Sequence, residues 1–143
     1  SLGTYEHLLD TCWHIRSHGL SFSFTQAIDQ KRLFIIDYHD AFLPFVNKIN
    51  EMEDRKLYAS RTVFFLTELG TLSPVAIELS LAPSSRKTKG CKRVFTPGQD
   101  ATSHWFWQLA KAHATSNDVG FHQLVNHWYA PDMINKLVVQ CAH

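Results

Sequence analysis

The stretch at residues 105–128, WFWQLAKAHATSNDVGFHQLVNHW, constrains the fold more than any other part of the chain. Lys111 and Asp118 are its only charged residues, and Gly120 is its only strong helix breaker. At helical spacing one row runs Trp105, Leu109, Ala112, Ser116, Val119, Gln123, His127. A second runs Phe106, Ala110, His113, Asn117, Phe121, Leu124, Trp128. Both rows are apolar or weakly polar, so no face is plainly solvated, and a helix of that kind belongs inside a larger protein. The His, Gln and Asn side chains and the two charges argue against a membrane span. The expectation is a buried-type helix that carries polar groups.

The totals fit one domain. A chain of 143 residues can enclose a modest core, and an apolar fraction of 45% with 13% aromatics is globular rather than disordered. A net charge of +1 gives no global field to attract a polyanion or a membrane surface. The three cysteines, Cys12, Cys91 and Cys141, lie far apart without CxxC spacing. An odd count excludes a complete disulfide framework, and a reducing, cytoplasmic setting is the simpler reading. The chain shows no secretory signal and begins at Ser1 rather than Met, which suggests a piece of a longer product and leaves a plastid address open.

Several other clusters invite a functional reading. Residues 1–24 begin with an amphipathic pattern in which His14 and His18 stand four apart, a spacing that can hold zinc on one helix face. No carboxylate or cysteine accompanies them, so surface histidines are the expectation. Thr25 is placed to cap a short helix over residues 26–31, ahead of the apolar run Leu33, Phe34, Ile35, Ile36. Asp37, Tyr38, His39 and Asp40 offer a histidine between two carboxylates, but adjacent side chains diverge too far to meet on one metal. A polar turn bonded to nearby backbone is expected there. Residues 57–81 read as an antiparallel hairpin: a β-branched run at 62–67, a turn at Glu68, Leu69 and Gly70, and a return at 75–79. Pro74 fits only near the start of the returning strand or on an edge. Residues 83–98 read as a loop, in which Arg86, Lys87, Lys89, Lys92 and Arg93 place five cations within eight residues. Without interleaved aromatics the cluster reads as a solvated loop, not a nucleic-acid site.

The central stretch also carries a resemblance. WQLAKAH at 107–113, then Ser116, Asn117 and Asp118, then HQLVNHW at 122–128, resembles the central helix of plant lipoxygenases. The likeness continues backward through LFIIDYHD (33–40), LPFVN (43–47), RKLYASRT (55–62), PVAIEL (74–79) and VFTP (94–97), collinear over residues 25–128. Residues 1–24 and everything after Trp128 carry none of these motifs, so the chain is read as a partial catalytic domain over 1–143 with unmatched ends.

The resemblance implies a non-haem iron enzyme that adds O₂ to polyunsaturated fatty acids, such as linoleate or linolenate, giving hydroperoxides for oxylipin synthesis. In the family the central helix carries histidines at five-residue intervals, of which the second and third bind iron. His127 then falls at a ligand position, His122 beside the metal, and Gln123 at a polar link to the substrate cavity. Positions five apart on a regular α-helix diverge by roughly 140°. A shift to i→i+5 hydrogen bonding draws them together, and such π turns occur at functional sites. The next histidine belongs at position 132, where this chain has Asp132 after Pro131. Pro131 breaks the helix, so Asp132 is expected to cap a new short helix with Met133, Ile134, Leu137, Val138 and Cys141 as its stripe, rather than to bind iron. The family's remaining ligands, a third iron-binding histidine, an asparagine and a C-terminal carboxylate, lie farther on than the sixteen residues that follow His127.

The expected architecture is α+β: a short N-terminal helix, one hairpin, a basic loop and one long helix broken near Pro131. The expected function is that of a truncated or mis-spliced lipoxygenase stretch, inactive alone for want of iron ligands. The alternative is a non-catalytic lipid- or protein-binding fragment that associates through its apolar helix, with neither nucleic acid nor a transmembrane segment involved.

Overall fold

The computed structural model describes residues 24–83, 90–127 and 140–141. In chain order these form α1 (Phe24–Asp29), β1 (Leu33–Asp37), α2 (His39–Asn50), β2 (Ala59–Leu66), β3 (Leu72–Leu81), β4 (Cys91–Phe95), α3 (Ala101–Phe121), a π turn (His122–His127) and β5 (Gln140–Cys141). The strands make one antiparallel sheet in the order β4-β3-β2-β1-β5. The α+β class is as expected, and no helix among the described residues is long and apolar enough to cross a membrane.

The expected hairpin is present as β2 and β3. Its turn runs through Gly70, whose φ of 76° is the left-handed conformation that glycine tolerates. Pro74 sits near the start of β3, opposite Phe64, at a register shift in the ladder. That irregularity accommodates a residue that cannot donate to the sheet.

The hairpin is not alone, however. A lone hairpin is marginal in water, and here each outer edge is covered. The apolar run at 33–37 pairs with β2 from Asp37↔Arg61 to Leu33↔Phe65. On the other side, residues 91–95, expected to belong to a loop, form β4 against β3. Lys92 and Arg93 made that segment read as solvated, yet basic residues are what an edge strand tolerates on its exposed positions.

Two further expectations are corrected. Thr25 lies inside α1 rather than capping it, since the helix begins at Phe24. Cys141 lies in a two-residue strand paired with Phe34, not on a helical stripe. β1 has an outer edge of unpaired backbone groups that a strand can satisfy and a helix cannot. The expected N-terminal helix, the break at Pro131 and the rest of the 133–139 stripe lie outside the described residues.

Strand alternation splits the core between the two faces. On one, Leu33, Ile35, Val63, Phe65, Val75 and Ala76 pack with Ala27 of α1. On the other, Ile77 and Leu79 pack with Trp107 and Ala110 of α3. Each large side chain so buried contributes about 1.5–3 kcal/mol. The helix therefore presents to the sheet the row Trp107, Ala110, Ala114 and Asn117, at alternating spacings of three and four. At its N-terminus Asp100 accepts from the Ser103 amide at 3.0 Å, and the Ser103 hydroxyl returns to the Asp100 amide. This capping box is closed tightly, because a methyl group at Gly98 would overlap Ser103.

Arg61 is charged and yet only 6% exposed. Its register partners in the sheet are Asp37 on β1 and Glu78 on β3. Nε donates to Asp37 and Nη1 to Glu78, each at 2.8 Å, and Lys92 of β4 lies 3.7 Å from Glu78. Burial disfavours the guanidinium's charge, but the hydrogen bonds and charges of Asp37 and Glu78 outweigh it and push its pKa up. The row thus joins four strands by alternating charge.

Two long-range contacts pin α3. Asn117, 1% exposed, donates from Nδ2 to the Tyr58 carbonyl at 2.7 Å and to the Ser60 hydroxyl at 2.8 Å. The Tyr38 hydroxyl donates to Asp118 Oδ1 at 2.5 Å.

Replacing Arg61 with Met strands two carboxylates and is expected to cost about 3–5 kcal/mol in urea unfolding, part of which an added Glu78→Gln recovers. A loss under about 1 kcal/mol would contradict the buried network. Asn117→Ala is expected to cost about 1–3 kcal/mol in the same measurement, because the Tyr58 carbonyl and Ser60 hydroxyl lose their donor.

Candidate functional site

α3 continues through Gly120, whose open side faces the Phe42 ring, with 3.7 Å from a built Cβ to the nearest ring atom. Asn117 and Asp118 hold the segment just before Phe121 against β2 and Tyr38. The His122 amide still bonds back to the Asp118 and Val119 carbonyls. Over His122–His127 the pattern then widens to π-helical, the geometry anticipated from the five-residue spacing. His122, Gln123 and His127 all fall within this one turn. His122 and Gln123 are exposed, and Leu124 is 62% exposed. Asp132, like Pro131, His14 and His18, lies outside the described residues.

Among the described residues no group of three or more His, Cys, Asp or Glu side chains could hold a metal ion. Iron of the type implied by the resemblance would take several histidines, an asparagine and a terminal carboxylate as ligands. The described residues do not make up that set.

The His39 block behaves as the polar turn expected. Asp37 Oδ1 accepts from the His39 amide at 2.8 Å while its Oδ2 accepts from Arg61. His39 Nδ1 lies 2.8 Å from Asp40 Oδ1, and that contact holds the Asp40 carboxyl below its ordinary pKa. Both Asp37 oxygens are thus committed, one to the turn and one to the sheet network.

Between α3 and the sheet lies a cavity of about 210 Å³, with Ile36, Phe64 and Ile77 among its apolar walls and Tyr38, Lys111 and Asp118 at its polar side. Burial, reinforced by the hydrogen bond to Asp118, drives the Tyr38 phenol far above its usual pKa. It stays protonated, a donor that positions Asp118 and not a base. Nearer the start of the helix, His113 packs edge-on to the Tyr58 ring, with 4.8 Å between ring centres, and burial lowers its pKa.

Tyr38, Asn117 and Asp118 do the positioning, and reasoning from sequence gave none of them that task. The available signal was two polar residues, Asn117 and Asp118, inside an otherwise greasy helix. Among the described residues the helix is covered on one side only. Trp105, Leu109, Ala112, Ser116, Val119 and Gln123, the first row read from the sequence, are all exposed, Trp105 by 73% and Leu109 by 56%. A single sheet covers one side of a helix, and here it covers the Trp107 side.

The family model described as Lipoxygenase matches residues 7–141. The match takes in most of 1–24 and 129–143, which share none of the quoted motifs. The chain is 54% identical over 138 residues to Lipoxygenase 3, chloroplastic, of Arabidopsis thaliana, a stretch that is 96% of this chain and 15% of that protein. It is 52% identical over 130 residues to Probable lipoxygenase 6 of Oryza sativa subsp. japonica, covering 91% of this chain and 14% of the relative. Against Linoleate 13S-lipoxygenase 3-1, chloroplastic, of Solanum tuberosum it is 53% identical over 118 residues, 80% of this chain and 12% of the relative. The chain spans 15% or less of the length of each of these three relatives, and with a family model matched over nearly all of its residues it belongs to the lipoxygenase family.

Proposed function

We propose that this chain is a segment of a fatty-acid dioxygenase whose π turn supplies one iron-ligand position, His127, and that alone it neither retains iron nor oxidises a diene. The observation that carries the reading is the π turn at His122–His127, which directly follows the part of α3 that Asn117 and Asp118 fasten to Tyr58, Ser60 and Tyr38. In this reading His122 stands beside the metal and Gln123 links the iron surroundings to the fatty-acid cavity. Asp132 replaces the family's next histidine, and Pro131 before it works against its delivery to the same ion. In a complete family member the non-haem iron supplies the one-electron chemistry by which a polyunsaturated fatty acid and O₂ give a hydroperoxide, on the route to oxylipins. This chain's own share is structural: it orients the turn and lends apolar surface to the substrate region. The compartment we assign is the plastid rather than the cytoplasm, because relatives from Arabidopsis thaliana and Solanum tuberosum are named chloroplastic.

A second reading, a non-catalytic lipid- or protein-binding fragment, is favoured by the exposed apolar row of α3. It is separated from the first by concentration-dependent association with a full-length relative in the absence of oxidation.

The test is elemental analysis of the purified chain after incubation with ferrous ion, together with conjugated-diene absorbance on addition of linoleate and oxygen. The expected result is iron far below one equivalent and no diene product. One tightly held iron per chain with hydroperoxide formation would overturn the proposal.

A further inference from the structure

Tyr38 meets α3 at two points. Its hydroxyl donates to Asp118 at 2.5 Å, and its ring lies 5.1 Å, centre to centre, from the ring of Phe121, tilted by 38°. Asp118 and Phe121 stand three apart on the helix and so share a face. The two contacts are roughly 4.5 Å apart along the helix axis. A single contact lets a helix pivot, whereas two on one face fix its rotation. Phe121 is also the last residue of α3 before the π turn begins at His122.

Tyr38 can act in this way because it is itself firmly seated. It is 9% exposed and lies between β1 and α2. Its amide donates to the Ser60 carbonyl of β2 at 3.0 Å, and its own carbonyl accepts from the Phe42 amide of α2 at 3.1 Å. The Phe42 ring meets the Tyr38 ring edge-on, with 6.2 Å between centres and 77° between planes. Both ring pairs fall within the roughly 4.5–7 Å at which aromatic pairs attract. Between the two points of contact sits Gly120, where a built Cβ would meet Phe42 at 3.7 Å, an ordinary contact. Its backbone is helical, so neither space nor conformation demands a glycine there. What glycine does at this position is lower the helix propensity of the joint, two residues before α-type bonding gives way to the wider pattern.

We propose that Tyr38 and Phe121 are positioning residues for the π turn: their stacked rings set the direction in which the turn at His122–His127 leaves α3, and Gly120 is the soft joint that lets the chain widen there. The inference deepens the reading of the turn as ligand-bearing and rests on that reading for its purpose, though not for its geometry. Every contact it uses lies between described elements of this chain, and none is made by the exposed row of α3.

The test is measurement of backbone residual dipolar couplings in the metal-free full chain, weakly aligned. Amides 101–117 report the axis of α3, and amides 122–127 report the turn. Phe121→Leu keeps an apolar side chain without a ring. It is expected to change the couplings of 122–127 while those of 101–117 stay as they are. Phe121→Tyr, which restores a ring, should return the native values. Tyr38→Leu should act like Phe121→Leu, and Tyr38→Phe, which keeps the ring and loses the hydroxyl, should act less. Gly120→Ala should raise the folding equilibrium constant about fivefold in urea unfolding and move the 122–127 couplings toward those of a continuous α-helix. Couplings at 122–127 unchanged by Phe121→Leu would overturn the role of the stack, as would a change spread evenly over 101–117. A native turn in the Gly120→Ala chain would overturn the joint. Neither readout involves iron, so failure here leaves the iron reading standing, and iron uptake by the chain would leave this inference standing.

Discussion

The placement of α3 depends on two neighbouring side chains that reach in different directions. Asn117 donates into β2 and Asp118 accepts from Tyr38, just beyond β1. Trp107 and Ala110 contribute the larger share of the burial, but apolar contact is non-directional and would allow the helix to slide or roll. The hydrogen bonds have a modest net worth, about 1 kcal/mol each, yet breaking those of Asn117 leaves a buried amide without its acceptors. They therefore act as a registry device, fixing both the height and the rotation of the helix. The π turn starts four residues past Asp118, so its orientation follows from theirs.

The sheet beneath that helix is held in its own register by Arg61. A one-residue slip between β1 and β2, or between β2 and β3, would carry the guanidinium to the opposite face from Asp37 or Glu78. The buried charge is a weak source of stability but a strong penalty on the wrong pairing, because a lone ion in that position is far costlier than the paired one. Polar groups buried on both faces thus specify an arrangement that apolar burial makes favourable.

How much of this was legible in the chain varied with the kind of interaction. Local chemistry was readable: the β2–β3 turn at Gly70, the place of Pro74, the Asp37–His39 turn, and the π turn from the histidine spacing. Non-local pairing was not. β4 was hidden by Lys92 and Arg93, since a basic segment reads alike whether it is a solvated loop or the outer strand of a sheet. Cys141 matched a helical stripe, whereas the open edge of β1 favoured a strand. In the central helix the pattern left two apolar rows open and could not say which would meet the sheet. Trp107, in neither row, supplies the main contact. No periodicity encodes the partners of Asn117 and Asp118, which lie more than fifty residues away in sequence.

The exposed row from Trp105 to Gln123 is consistent with a chain that corresponds to 15% or less of the length of its relatives. A helix apolar on several sides needs more than one layer of cover, and the described residues provide one. What they do provide is the turn itself, continuous with α3. The most direct test is detection of backbone hydrogen bonds by NMR across residues 122–127 in rigorously metal-free protein. Couplings linking amides beyond His122 to the carbonyls five residues earlier are predicted, and Asn117→Ala should weaken them. A regular four-residue pattern in the metal-free chain, or π couplings that emerge only after iron is added, would contradict a turn shaped by the sheet contact.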